Sequence, residues 1–197
     1  MSGSGYSVLY PQTIRIPCAT LLGSLHTIHG LPMTDARQTE NRLAAISLSL
    51  PPREGPAYDY DPFKRNGDTV YLAGTLGKEN GAVQNLGKVG AEINEEEAAR
   101  QMQICALQAM NWLREAADGD LDRVAGVLQL KCYVACTPEF DGISRVADHA
   151  SKVFITAFGD DGRHPRSVLG MMRLPQDAPV MIDLVAGLKE NESGEVG

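Results

Sequence analysis

The chain lacks a long apolar run, is short of aromatic residues and cysteines, and has too few cations to balance its acids. No segment approaches the roughly 18 consecutive apolar residues that a membrane helix needs, so no helical span is expected. A net charge of -7 and a pI near 5.1 set a repulsive field against any polyanion. With only 6% aromatic residues there is also little material for a base-stacking surface, so nucleic acid is an unfavoured partner. A small anionic metabolite held by one local Arg remains allowed. Cys18, Cys105, Cys132 and Cys136 are too few for a disulfide scaffold and lack zinc-ligand spacing. On one strand Cys132 and Cys136 would stand about 13 Å apart, too far to bridge. The plain reading is reduced, buried thiols in a cytoplasmic protein.

What is present suits one well-buried domain with tails: 197 residues, 43% hydrophobic and 22% charged. Residues 1–33 carry one formal charge, Arg15, and the composition changes near Thr34. This segment reads as a flexible N-terminal extension. Its freedom from acids leaves an organellar transit peptide as the alternative, against which stand the single Arg and the absence of an amphipathic helix. His26 and His29 have the spacing of a metal pair on a helix, but no third ligand is near and no metal is assigned. Residues 34–188 form the domain, and the acidic tail 189–197 should fray.

Within the domain a first helix is expected over 35–47, capped by Thr34, with Leu43, Ile46 and Leu50 to one side and Pro51-Pro52 as the stop. A strand over 58–64 leads through an Asn66-Gly67 turn into Thr69–Gly74, and Lys88–Gly90 suggests a third short strand. Asn94 followed by Glu97 is a capping box, and Ala98, Met102, Cys105, Ala109, Trp112 and Ala116 recur behind it at helical spacing. A long strand over 121–136, a second helix over 142–158 stopped by Gly159, and strands over 167–173 and 180–188 complete the order αββ(β)αβαββ. Two main helices on one face of a mixed sheet leave the other face apolar, which oligomerisation would cover.

The sharpest local feature is Gly162-Arg163-His164-Pro165-Arg166-Ser167, running into Val168–Pro175. A Gly and a Pro punctuate three cations, and the chain then turns apolar, which puts Arg166 at the mouth of a buried strand, a place to hold an anion. Arg166-Ser167, Val168-Leu169-Gly170 and Leu174-Pro175, with the alternating last strand, resemble the signature of the YjgF/Rid family, also called the L-PSP endoribonuclease family. Gly87–Ala91, Gly119–Val124 and Gly162-Arg163-His164 resemble a longer-chain branch of it, and the similarity covers 35–188.

The resemblance implies a chorismate-mutase-like α+β subunit, a mixed sheet with two main helices on one face. It also implies a homotrimer whose clefts lie between subunits. The Arg matching Arg166 would grip the carboxylate of a 2-imino acid while water hydrolyses the imine to a 2-keto acid and ammonia, with no metal or organic cofactor. A guanidinium suits this role because its planar donor pair matches a carboxylate and stays charged. Tyr60 and Gly74 match the family's cleft aromatic and glycine, and Thr75, Cys132 and His164 complete the substrate-binding candidates.

Two departures bear on catalysis. The family's carboxylate on the last strand is matched by Met181, which can neither orient water nor carry a proton. Asp183 lies two residues on, about 7 Å away on the same face, as a catalytic substitute. The family's Ser-Gly-Gln in the second strand reads Ala73-Gly74-Thr75, and Asp148–Ser151 stands where the longer branch has Asn-Gly-Ala-Ser. Duller alternatives stand beside each residue: Arg166 as an interface ion-pair partner, Arg163 and Arg173 as solvated charges, His164 as a loop hydrogen-bonder, Tyr60 as a sheet cap, Cys105 and Cys132 as core, and Asp183 as an outward strand residue. The functional readings are therefore a 2-iminobutanoate or 2-iminopropanoate deaminase-like hydrolase, a non-catalytic metabolite-binding trimer and, less favoured, an endoribonuclease.

Overall fold

A remote carboxylate, not a neighbouring cap residue, starts the first helix. The structure, a computed structural model, describes residues 37–53, 55 and 58–190, so the expectations for Thr34, His26, His29, the extension and the last seven residues lie outside it. Helix α1 (Gln38–Ala44) follows Arg37 in the left-handed region with no side-chain cap of its own. Instead Asp122 accepts the Gln38 and Thr39 backbone N–H groups, each at 2.8 Å, and the Thr39 hydroxyl at 2.6 Å. Burial works to raise the Asp122 carboxyl, but these hydrogen bonds outweigh it and hold the group below the usual carboxylate range. The helix ends earlier than the sequence pattern suggests. The backbone turns at Ser47 (φ 60), and Ile46 is exposed while Leu43 is buried.

Strand β1 is Phe63–Asn66, not 58–64. Pro62 has no N–H for the ladder, and its carbonyl takes the Ala73 N–H at 2.9 Å as the last link to the neighbouring strand. The turn into β2 (Thr69–Leu76) closes on the Asn66–Thr69 pair, with Gly67 at φ 59 in the first central position. A separate ribbon of β3 (Lys78–Glu79) and β4 (Ala82–Val83) was not legible in the sequence. Residues 88–90 form no strand; Val89 makes only isolated bridges to Ile93 and Cys136.

The capping box holds as read: Asn94 Oδ1 accepts the Glu97 N–H at 2.9 Å and Glu97 returns the bond at 3.0 Å, opening α2 (Glu95–Ala116). A one-turn 3-10 segment, Leu121–Arg123, precedes β5 (Val124–Ala135). Helix α3 (Ile143–Phe158) stops at Gly159 (φ 65), β6 runs Arg166–Met171, and β7 runs Val180–Leu188.

The five-stranded sheet has the order β1-β2-β7-β5-β6, antiparallel except for the parallel β5–β6 pair that α3 connects. Both long helices pack on one face. Along β7, Val180, Ile182, Leu184, Ala186 and Leu188 are buried beneath them and the alternate residues are not. Burying each of these Val, Ile and Leu side chains contributes about 1.5–3 kcal/mol. The opposite sheet face carries exposed Tyr71, Leu128 and Leu169 among half-buried Tyr133, Met181 and Val185, the apolar open face that the pattern implies. Among the described residues no helix is long and apolar enough to cross a membrane.

Candidate functional site

Arg166 begins β6 and points to the helix side of the sheet, beside Leu130 on β5 and against α3. Its Nη1 donates to Ser151 Oγ and pairs with Asp148 Oδ1, both at 2.9 Å, and Nη2 reaches the Ser144 carbonyl at 3.5 Å. Three successive turns of one helix thus brace the guanidinium. The Nε–Nη2 edge, the side that meets a carboxylate in parallel bonds, keeps its Nε–H free of any described partner.

Ser151 links Arg166 to His164. The His164 Nδ1 lies 2.6 Å from the Gly162 carbonyl and must donate to it, so neutral Nε2, 3.1 Å from Ser151 Oγ, accepts the serine proton. The ring stands edge-on to Phe154, centroids 6.0 Å apart. Burial lowers the His164 pKa and the Arg166 charge adds to this, against the opposing Gly162 bond, so the neutral ring is favoured. Gly162 permits this arrangement because its backbone touches the Phe154 carbonyl, where a Cβ would collide.

A cavity of about 360 Å³ lies elsewhere, where β1 leaves β2. Tyr58, Tyr60 and Pro62 form its outer wall, Ala73–Leu76 of β2 its edge, Gln108 and Trp112 of α2 its back, and Met181 of β7 its floor. Lys78 contributes a cation, and among the described residues no Asp or Glu lines it. Thr75 Oγ1 donates to the Ala73 carbonyl at 3.2 Å, and Gln108 Nε2 to the Lys78 carbonyl at 3.0 Å. The β2–β7 register shifts between Leu72 and Thr75, and this irregularity opens the edge next to Gly74.

The expected site residues therefore fall into groups. Tyr60, Gly74 and Thr75 meet at the cavity with Met181; Arg166 and His164 meet at α3. β2 and β6 are three strand steps apart, about 14 Å, so one subunit does not bring the two groups onto one small ligand. Cys132 sits in the core rather than at a cleft: it is fully buried facing the helices, and burial pushes its thiol up to about 12. Asp183 lies on the open face, outside the cavity lining, accepting the Tyr133 hydroxyl at 2.6 Å with Lys131 Nζ at 3.8 Å. Burial first, and then Asp183, raise the Tyr133 phenol to about 12. Arg163 and Arg173 are surface residues paired with Asp160 and Asp177. Helical spacing puts Trp112 on the core stripe of α2 and does not separate that stripe from a cavity wall, while Gln108 and, on the short β3, Lys78 carry no sequence signal of the cavity.

No family model matches the chain. It is 33% identical over 147 residues to Protein TCP17 of Trypanosoma cruzi, covering 74% of this chain and 91% of that one. The crystal structure of Atu1372 from Agrobacterium tumefaciens, a protein of unknown function, is 32% identical with a TM-score of 0.72, over 77% of this chain and 92% of the other. A candidate endoribonuclease from Shewanella oneidensis superimposes at 25% identity and a TM-score of 0.73, over 76% and 99%. The sheet order, the helix layer and these likenesses define a Rid-type α+β subunit. The chain belongs to the YjgF/Rid family.

Proposed function

We propose that three copies of the chain form a ring and bind small 2-keto or 2-imino carboxylates in the clefts between subunits, hydrolysing 2-imino acids or enamines to 2-keto acids and ammonia. One observation carries this reading: β6, which carries the braced Arg166, and β2, which carries Gly74 and Thr75, are three strand steps apart, about 14 Å, so a single small ligand meets both groups only where two copies adjoin. The apolar open face, with Tyr71, Leu128 and Leu169 exposed, supplies the surface that ring closure would bury. In this arrangement one subunit's Arg166 holds the carboxylate beside the neighbour's Gly74 and Thr75.

The chemistry then needs mainly positioning. The oxygen of a water molecule adds to the imine carbon, the C=N pair moves to nitrogen, and the proton shed by that water goes to the same nitrogen. The hydroxyl proton of the resulting carbinolamine then passes to the amine nitrogen, the C=O bond forms as the C–N bond breaks, and ammonia leaves. Water and imine are consumed, keto acid and ammonia produced, with no redox change. Asp183 enters this scheme only from the open face, held by Tyr133 and Lys131.

Met181 on the cavity floor favours a second reading, a trimer that binds the same acids without turning them over. Generating 2-iminobutanoate in the presence of the purified chain and following keto-acid release separates the two. Faster release that Arg166→Ala abolishes supports the hydrolase. Thermal protection by 2-oxobutanoate without faster release supports the binder, and Met181→Glu should then gain turnover by about 10²-fold, the scale of one positioned acid–base group. Neither effect would end both readings. RNA cleavage, which the description of the Shewanella protein suggests, is opposed by the net charge of -7.

A further inference from the structure

We infer that the cavity selects a carboxylate with a large apolar side chain, branched or aromatic, over three- and four-carbon acids. The inference rests on the reading above that the cavity and a neighbour's Arg166 form one site, and it concerns what fills the rest of that site. At about 360 Å³ the cavity falls in the range of about 300–1,000 Å³ that holds drug-sized ligands. A pyruvate-sized molecule bound at its edge would leave most of the apolar lining wet.

The walls say what belongs there. Tyr58, Tyr60 and Trp112 offer aromatic faces, Pro62 and Pro175 add rigid apolar surface, and Met181 offers a polarisable thioether that packs well against either an aliphatic or an aromatic group. Trp112 is held in place: the Arg53 guanidinium lies 5.5 Å from its ring centroid and also pairs with Glu115 on the same helix. Among the described residues the lining holds Lys78 and no acid, so the site suits an anion with an apolar body. Met181 therefore has a role of its own. An ionised carboxylate at the same point would have to be desolvated by a bulky apolar substituent, whereas the thioether accepts one.

Isothermal titration of the full chain with pyruvate, 2-oxobutanoate, 4-methyl-2-oxopentanoate and phenylpyruvate tests this. Each methylene buried is worth roughly fourfold in affinity, so the two large acids should bind at least tenfold more tightly than pyruvate. Trp112 is the only tryptophan in the chain, so 4-methyl-2-oxopentanoate should also shift the intrinsic fluorescence. Tyr60→Ala, at an exposed position, should cut the preference for the large acids below threefold. Affinities within twofold of one another across the series would overturn the size inference and leave the carboxylate site standing. Tight binding of the large acids that Arg166→Ala leaves intact would overturn the site reading, and the inference with it; so would no binding of any acid.

Discussion

Met181 lies across Gly74: a Cβ at position 74 would stand 2.7 Å from the Met181 Sδ and 3.2 Å from its Cε. The glycine and the thioether are thus one fitted pair on adjacent strands, and the space above them is the cavity floor.

Gly74→Ala should push the Met181 side chain up into the cavity. Carboxylate binding should weaken by about three- to tenfold, while thermal stability falls little because the clash is with a flexible side chain. Adding Met181→Ala should restore affinity. Calorimetric affinities for the two single variants and the pair would read a strongly non-additive cycle; simple additivity would mean that the pair does not act together at the ligand.

Ser151→Ala removes the hydroxyl that donates to His164 and accepts from Arg166. One hydrogen bond of about 1 kcal/mol corresponds to roughly fivefold, so keto-acid affinity should fall by that order, with Ser151→Thr recovering most of it. An unchanged dissociation constant for Ser151→Ala would show that Asp148 alone positions the clamp.

The pH dependence of stability should carry a His164 component. Its pKa is lowered in the fold, by burial first and then by Arg166, so below about 6.5 the unfolded chain takes up the proton before the folded one does. The unfolded state then binds more protons, and unfolding free energy falls as pH drops from about 7 towards the lowered pKa. His164→Gln should flatten urea-unfolding stability between about pH 7 and pH 5. An equally steep decline in the variant would assign the effect to other groups.

Asp122→Ala should lower unfolding free energy by about 1–2 kcal/mol, the loss of a helix cap, because two backbone N–H groups at the start of α1 lose their acceptor. Equilibrium urea denaturation reads this directly. In wild type the same interaction should weaken in acid: the Asp122 pKa is depressed in the fold, so its stabilisation is present above the unfolded carboxyl's pKa of about 3.9 and disappears as pH falls through the lower folded value.

The features legible in the sequence are those whose physics is local. Asn94 and Glu97 close a box within four residues, Gly159 ends α3 because it tolerates φ 65, Gly67 turns the hairpin, and the alternation of 180–188 sets which side chains of β7 go under the helices. The motif around Arg166 belongs with these, since a strand mouth is written in its punctuation. Tertiary structure alone decided the rest. The cap of α1 comes from Asp122, 83 residues beyond Thr39, and the brace on Arg166 comes from one face of α3. Trp112, which packs against the core, also lines the cavity together with Tyr58, Tyr60 and Pro62 from the chain just before β1. Each of these depends on which surfaces meet after the sheet has formed. A pattern along the chain specifies which face of an element is apolar, but not what the neighbouring element leaves open in front of it.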